Sequence, residues 1–242
     1  MLQVGIFNGY FPYALEEQAK KIKSIGFNTV QLDLAFKDVD FSTPDSINLE
    51  KAKRIRETFR DYNLPISGIS GYTNIVHPDS AKRKEKLDYL KALIKSARHF
   101  GTPYVISETG TFNPKSDWVS DPKNKTEDFE AHNIDRMDHV LKQIFDTLTT
   151  KIRIAHAKDV KRSGTDKGEK HADIEASESH TFRGVGEIEL PAPGLGSLNY
   201  DYYLERLAEK HPNIPIVIEH LEESDVPRAK KFLDGKLRAL GL

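Results

Sequence analysis

The chain is 242 residues long, enough for one large α/β domain or two small ones, and either can bury a sizeable core. With 38% apolar and 30% charged residues it is too hydrophobic in its periodic stretches for disorder and too polar for a membrane protein; no run approaches the roughly 18 apolar residues of a spanning helix. Lys and Arg number 36 against 37 Asp and Glu, so no global positive field draws in nucleic acid, and the lack of cysteine removes disulfides, thiolate nucleophiles and zinc-thiolate sites together.

Leu2–Phe7 is short, apolar and stopped by Asn8-Gly9, the pattern of a buried strand entering a loop. The same stretch has no basic segment and no small-residue cleavage site, so the expected location is the cytoplasm. Leu15, Ala19, Ile22 and Ile25 follow at helical spacing, with Gly26 placed to end the helix. The unit then repeats: Thr29–Leu34 reads as a strand, and Ile47–Tyr62 as a helix with Ala52, Ile55 and Phe59 on one stripe. Pro65–Ser70 is a third strand. Asp79 or Ser80 caps a long helix in which Leu87, Leu90, Leu93, Ile94 and Ala97 face the core and which Gly101 ends; Tyr104–Glu108 is the fourth strand.

The polar stretch 109–125 is a long loop, after which Ile134, Met137, Leu141, Ile144 and Leu148 form another helical stripe and Lys151–Ala157 a fifth strand. Residues 158–196 are polar and Gly-rich, a lid or site loop by length, in which Val185–Leu190 alternates well enough to join a β-ribbon. Asn199–Lys210 is helical, Ile214–Glu219 is the sixth strand, and Asp225–Leu240 closes the chain as a helix with Pro227 at its start. Strict alternation of strands and helices means a parallel sheet with right-handed crossovers, whose ligands sit at the carboxyl ends of the strands.

The chemistry-bearing residues collect at those ends. Ile154-Ala-His156-Ala-Lys158-Asp159 delivers an imidazole, an ammonium and a carboxylate to the end of one strand. Such a histidine can be a metal ligand, a general base or a hydrogen-bonded structural residue. Ile216-Val-Ile-Glu219 ends a β-branched strand in a carboxylate, a costly place for an unpaired charge unless a metal or a cationic partner is there. Lys158 pairs with a substrate oxygen or phosphate, or with Asp159 or Glu219. Glu108 also ends a strand, where it either hydrogen-bonds the following loop or serves the site. His77 belongs to a helix-entry turn, exposed there or touching substrate. Gly194 and Gly196, just before a helix, could present backbone N–H groups to a phosphate or carboxylate.

Taken together, Thr73-Asn-Ile-Val-His77-Pro78, Ser107-Glu-Thr-Gly-Thr111, His156-Ala-Lys-Asp159, Pro193-Gly-Leu-Gly-Ser-Leu-Asn-Tyr200 and Ile216-Val-Ile-Glu-His220 resemble, in order, the motifs of the xylose-isomerase-like TIM-barrel superfamily, specifically its sugar phosphate isomerases and epimerases. The resemblance implies an α/β, TIM-barrel-derived parallel fold over a single domain, 1–242, and a divalent ion (Mn, Mg, Co or Zn) held at the barrel mouth by Glu, Asp, His and Glu. His156 matches the histidine and Glu219 the final glutamate. The other two ligands should follow strands that this sequence lacks. About 40 residues separate Glu108 from Lys151, where two complete units need about 60. Two units are therefore missing near residue 131, leaving six βα units instead of eight, and Glu108, Asp159 or a residue from a second subunit would have to complete the ligand set. A six-stranded remnant must close more tightly or expose sheet edges, so a homo-oligomer is expected. The implied function is a metal-dependent isomerase or epimerase of a small sugar or sugar phosphate, with Glu219, His156 and Lys158 catalytic and His77, Glu108, Gly194 and Gly196 binding substrate. The alternative is a sugar-binding or assembly protein that kept the truncated scaffold and lost catalysis. The superfamily's apurinic endonuclease branch ranks last, because the charge is neutral and histidines at strand ends are few.

Overall fold

The computed structural model describes residues 2–117, 121–124, 137–148, 151–162, 164, 169–170, 184–185 and 188–242, and these divide into two compact units, residues 5–124 and residues 1–4 with 125–242. Six strands run parallel in the hydrogen-bonded order Val105–Ile106, Ile66–Ser70, Thr29–Leu32, Gln3–Phe7, Pro215–Ile218 and Ala155–Ala157, which is the sheet that strict β/α alternation predicts.

From the first strand onward, β1 (Gln3–Phe7, whose last three residues open the unit of residues 5–124), β2 (Thr29–Leu32), β3 (Ile66–Ser70) and β4 (Val105–Ile106) alternate with α1 (Leu15–Ile25), α2 (Leu49–Asp61) and α3 (Ser80–Ser96). Gly26 ends α1 at φ 94°, a left-handed conformation that glycine adopts without penalty. Asn48 caps α2 by accepting the Lys51 N–H at 3.0 Å, and Asp79 caps α3 through the N–H groups of Ala81 and Lys82. Ile6, Phe27, Val30, Leu32, Ile55, Phe59, Ile69 and Phe100 form the core, each fully buried.

Two strands are shorter than the apolar runs suggest: the second stops at Leu32 and the fourth pairs only over Val105–Ile106. Periodicity marks where apolar side chains fall, whereas pairing depends on what lies alongside. The α3 stripe is also narrower than expected. Leu93 and Ala97 are buried, Leu87 and Leu90 half-buried, and Ile94 is 57% exposed, so the buried arc is narrower than five residues.

The other unit holds α4 (Met137–Leu148), β5 (Ala155–Ala157), α5 (Tyr200–Lys210), β10 (Pro215–Ile218) and α6 (Val226–Ala239). Its fifth strand is confined to three residues of the seven expected. Leu141 and Phe145, four apart, carry the buried face of α4, while Ile144 and Leu148 are exposed. Asn199 caps α5 by accepting the Tyr202 N–H, and Pro227 opens α6. Beyond β5 the chain forms a small antiparallel sheet of β6 (Lys161–Arg162), β7 (Glu169–Lys170), β8 (Gly184–Val185) and β9 (Ile188–Glu189), in the order β6-β9-β8-β7. Lys161 and Glu189 face each other across it, 3.4 Å apart. The long site loop therefore contains a ribbon, with Val185 opposite Ile188 as its alternation suggests.

The proposed loss of two units near residue 131, and the contribution of Ile134 to the helical stripe, lie outside the described residues. Strand order still bears on the first. The end strands are β4 and β5, consecutive among the described residues, and six parallel strands fit a shortened member of an eight-unit barrel family. No helix among the described residues is long and apolar enough to cross a membrane.

Candidate functional site

Glu219 follows three fully buried β-branched residues, Ile216, Val217 and Ile218, and its own N–H donates to the Ala157 carbonyl at 3.2 Å, so the β10–β5 ladder runs one rung past Ile218. Val217 lies opposite His156, which puts His156, Lys158, Val217 and Glu219 on one face of the strand pair. The sequence therefore delivers all three functional groups to the same side, at the carboxyl ends of two parallel strands.

The geometry there is tight. The Lys158 ammonium lies 2.9 Å from Glu219 Oε2, and His156 Nε2 lies 3.7 Å from Glu219 Oε1, too long for a hydrogen bond. The residue Glu219 is only 3% exposed, whereas the His156 and Lys158 side chains are 23% and 32% exposed. Solvent thus reaches the cluster from the side of the two bases. His220, next in the chain, has φ 62°, a left-handed backbone that costs a non-glycine residue about 1–3 kcal/mol and that turns the chain away right after the carboxylate.

Burial pulls the His156 pKa below its ordinary value of 6.5; the Glu219 carboxylate opposes that shift and the Lys158 ammonium adds to it. The imidazole is neutral at pH 7. A depressed folded-state pKa means that the unfolded chain takes up the proton first, so His156 withdraws stability as pH falls through 6.5 and below. An NMR titration of its ring protons should give a midpoint under 6.5, and the midpoint should rise in Lys158→Gln.

Asp159 has a different task. Its carboxylate accepts the N–H of Val160 and Leu198 on Oδ1, at 2.9 and 3.0 Å, and that of Gly194 on Oδ2, at 2.9 Å. The anion cradled by the Pro193–Leu198 turn is thus the chain's own. A Cβ on Gly196 would lie 2.3 Å from Asp159 Oδ1, and Gly194, at φ 84°, packs against the Phe232 ring. Both glycines are accounted for by this turn, and the Gly194 amide is committed to it.

Two tyrosines escape the sequence reading. The Tyr203 hydroxyl donates to the His156 carbonyl at 3.1 Å and the Tyr200 hydroxyl to the Lys158 carbonyl at 2.7 Å. Burial holds both phenols well above their usual pKa, so both stay protonated donors. The available signal was their spacing of three on α5, which places them on one helix face.

His77 and Glu108 belong to the unit of residues 5–124. His77 is buried, not exposed: its Nδ1 accepts the Asp79 N–H at 3.1 Å, and it lines a cavity of about 340 Å³ with Lys82, Lys86 and Lys115. Glu108 is exposed past the short β4.

A divalent ion does not fit the residues as they stand. Among the described residues no three His, Asp or Glu side chains converge on one point, Asp159 is occupied by three amides, and the ammonium of Lys158 rests on one of the two Glu219 oxygens.

Three solved structures share the fold across nearly the whole of both chains. A xylose isomerase domain protein from Planctomyces limnophilus has a TM-score of 0.52 at 17% identity over 99% of this chain and 96% of its own. A xylose isomerase-like TIM barrel protein from Mycobacterium smegmatis, solved in complex with magnesium, reaches 0.56 at 15%, over 99% and 96%. The 3-keto-D-glucoside 4-epimerase of E. coli reaches 0.53 at 14%, over 100% and 99%. No curated protein matches the sequence. Residues 19–148, more than half of the chain, match the family model described as xylose isomerase-like TIM barrel, and with six parallel strands alternating with helices the chain belongs to that family.

Proposed function

We propose that this protein binds a small sugar or sugar phosphate at the His156–Lys158–Glu219 rim and moves a proton at the carbon next to a carbonyl, the step common to aldose–ketose isomerisation and epimerisation. One observation carries this reading. Glu219 is a carboxylate sunk at the carboxyl end of a buried parallel strand, with a neutral imidazole and an ammonium on the same face, where ligands of such sheets sit. The sugar epimerase of E. coli among the proteins of like fold supports the substrate class.

In this reading Glu219 takes the proton and returns it, and solvent reaching the cluster past the part-exposed His156 and Lys158 side chains exchanges that proton between the two steps. Free aldoses and ketoses and their phosphates, incubated with the protein in D₂O, should lose the NMR signal of the hydrogen next to the carbonyl. Glu219→Gln should slow that exchange by about 100-fold or more. Equal exchange in the parent and in Glu219→Gln would remove Glu219 from the chemistry.

Sugar binding without turnover is the second reading, favoured by the commitment of one Glu219 oxygen to Lys158. It predicts sugar-induced chemical-shift changes at His156 with no exchange into D₂O.

A further inference from the structure

We infer that Lys158 stands in the place of a divalent cation at this rim, so that its ammonium, not a metal ion, meets negative charge on the oxygen of a bound carbonyl compound. The inference deepens the proton-transfer reading and rests on it for the substrate, but its central claim, that the lysine holds the cation's position, is tested without any sugar.

Three observations and one electrostatic repulsion carry it. The ladder continues through the Glu219 N–H to the Ala157 carbonyl, so the residue beside Glu219 on β5 is Lys158, on the same face. The ammonium sits 2.9 Å from Oε2 of the buried Glu219 carboxylate, the contact a metal ion would otherwise take. A dication at that carboxylate would meet the like charge of the ammonium. The second potential anionic donor in the segment, Asp159, is spent on three backbone amides.

Lys158 is also fixed for such a task. Its carbonyl accepts from the Tyr200 hydroxyl, and the next residue is pinned by its amide partners, so the backbone is set from both sides. Its side chain is a third exposed, so an ammonium with three donors keeps Glu219 on one of them and has others to offer a ligand. An ammonium held beforehand where charge develops stabilises an enediolate oxygen without reorganising during the reaction. This is the job that metal ions perform in open sites. Here the balance is simple: the proton leaves carbon for Glu219, the electron pair moves onto the carbonyl oxygen, and the lysine N–H donates to that oxygen.

The test uses Mn²⁺ alone as probe, followed by its EPR signal as the intact protein is added. The wild-type protein should leave the aqueous Mn²⁺ signal in place. Lys158→Gln, which removes the positive charge beside Glu219, should bind Mn²⁺ about tenfold or more tightly than the parent, and Lys158→Arg, which keeps the charge, should behave as the parent. Circular dichroism of all three checks that they fold. Mn²⁺ binding by the wild type that weakens in Glu219→Gln overturns the inference, and so does a Lys158→Gln protein with no gain. Neither result touches the carbohydrate reading, which stands or falls on the D₂O exchange. Where exchange occurs, it should be unchanged by EDTA and fall in Lys158→Gln with partial retention in Lys158→Arg; a rate that collapses in EDTA also overturns the inference.

Discussion

Asp159→Ala should lose about 3–4 kcal/mol of stability, seen as a fall of about 6–15 °C in Tm and a lower urea midpoint with an unchanged slope. Removing the carboxylate leaves the amides of Val160, Gly194 and Leu198 without the acceptor that folds their turn. Each such donor costs about 1–3 kcal/mol when unsatisfied and shielded, less where water reaches it, and all three are part-buried. Asn restores the shape and an acceptor for two of the amides but turns an NH₂ group toward the third. Asp159→Asn should therefore recover part of the loss, not all. Gly196→Ala attacks the same contact from the other side, since its Cβ has no room beside Asp159 Oδ1. A Tm within about 1 °C of the parent in Asp159→Ala would show that the turn holds itself by other means.

That turn illustrates what the sequence reveals and where it stops. Strand-helix alternation, the glycine at residue 26 and the cap at Asp79 are local signals, each set by residues a few positions apart, and the structure reproduces them. The meeting of His156, Lys158 and Glu219 was also legible, because residues ending adjacent parallel strands share a face once pairing is in register. Asp159 was not. The same tetrapeptide that offers an imidazole and an ammonium to the site sends its carboxylate to a turn 35–39 residues later, and nothing in residue type separates an anion that binds a ligand from one that serves as its own loop's ligand. The sequence offers Pro193-Gly-Leu-Gly196 as a turn whose amides could meet an anion, and in the structure the Gly194 amide meets Asp159 of the chain itself. The exposed Ile94, Ile144 and Leu148 show the other limit: a stripe chosen by hydrophobicity alone is wider than the arc that its neighbours cover.

The Tyr200→Phe/Tyr203→Phe double variant should lose about 2–4 kcal/mol and begin to self-associate. In a parallel ladder successive carbonyls of a strand point to alternate sides. The Ala157 carbonyl accepts from Glu219 on the β10 side, so those of His156 and Lys158 point to the other side, where β5 has no strand partner among the described residues. They accept instead from the hydroxyls of Tyr203 and Tyr200. A helix of the same unit thus supplies, with two phenols, hydrogen bonds that a neighbouring strand would give, and it blunts an edge that would otherwise offer acceptors to another chain. The expected homo-oligomer need not form along this edge, because these acceptors are already occupied. Phe keeps ring packing, including the edge-to-face contact of Tyr200 with Phe232 at 5.0 Å, so the loss reports the hydroxyls alone. Each carbonyl left bare costs about 1–2 kcal/mol, and sedimentation velocity should show larger species at protein concentrations where the parent's distribution is constant. Were the double variant as stable as the parent and sedimenting identically, the tyrosines would be packing residues only, and the β5 edge would need another explanation for its restraint.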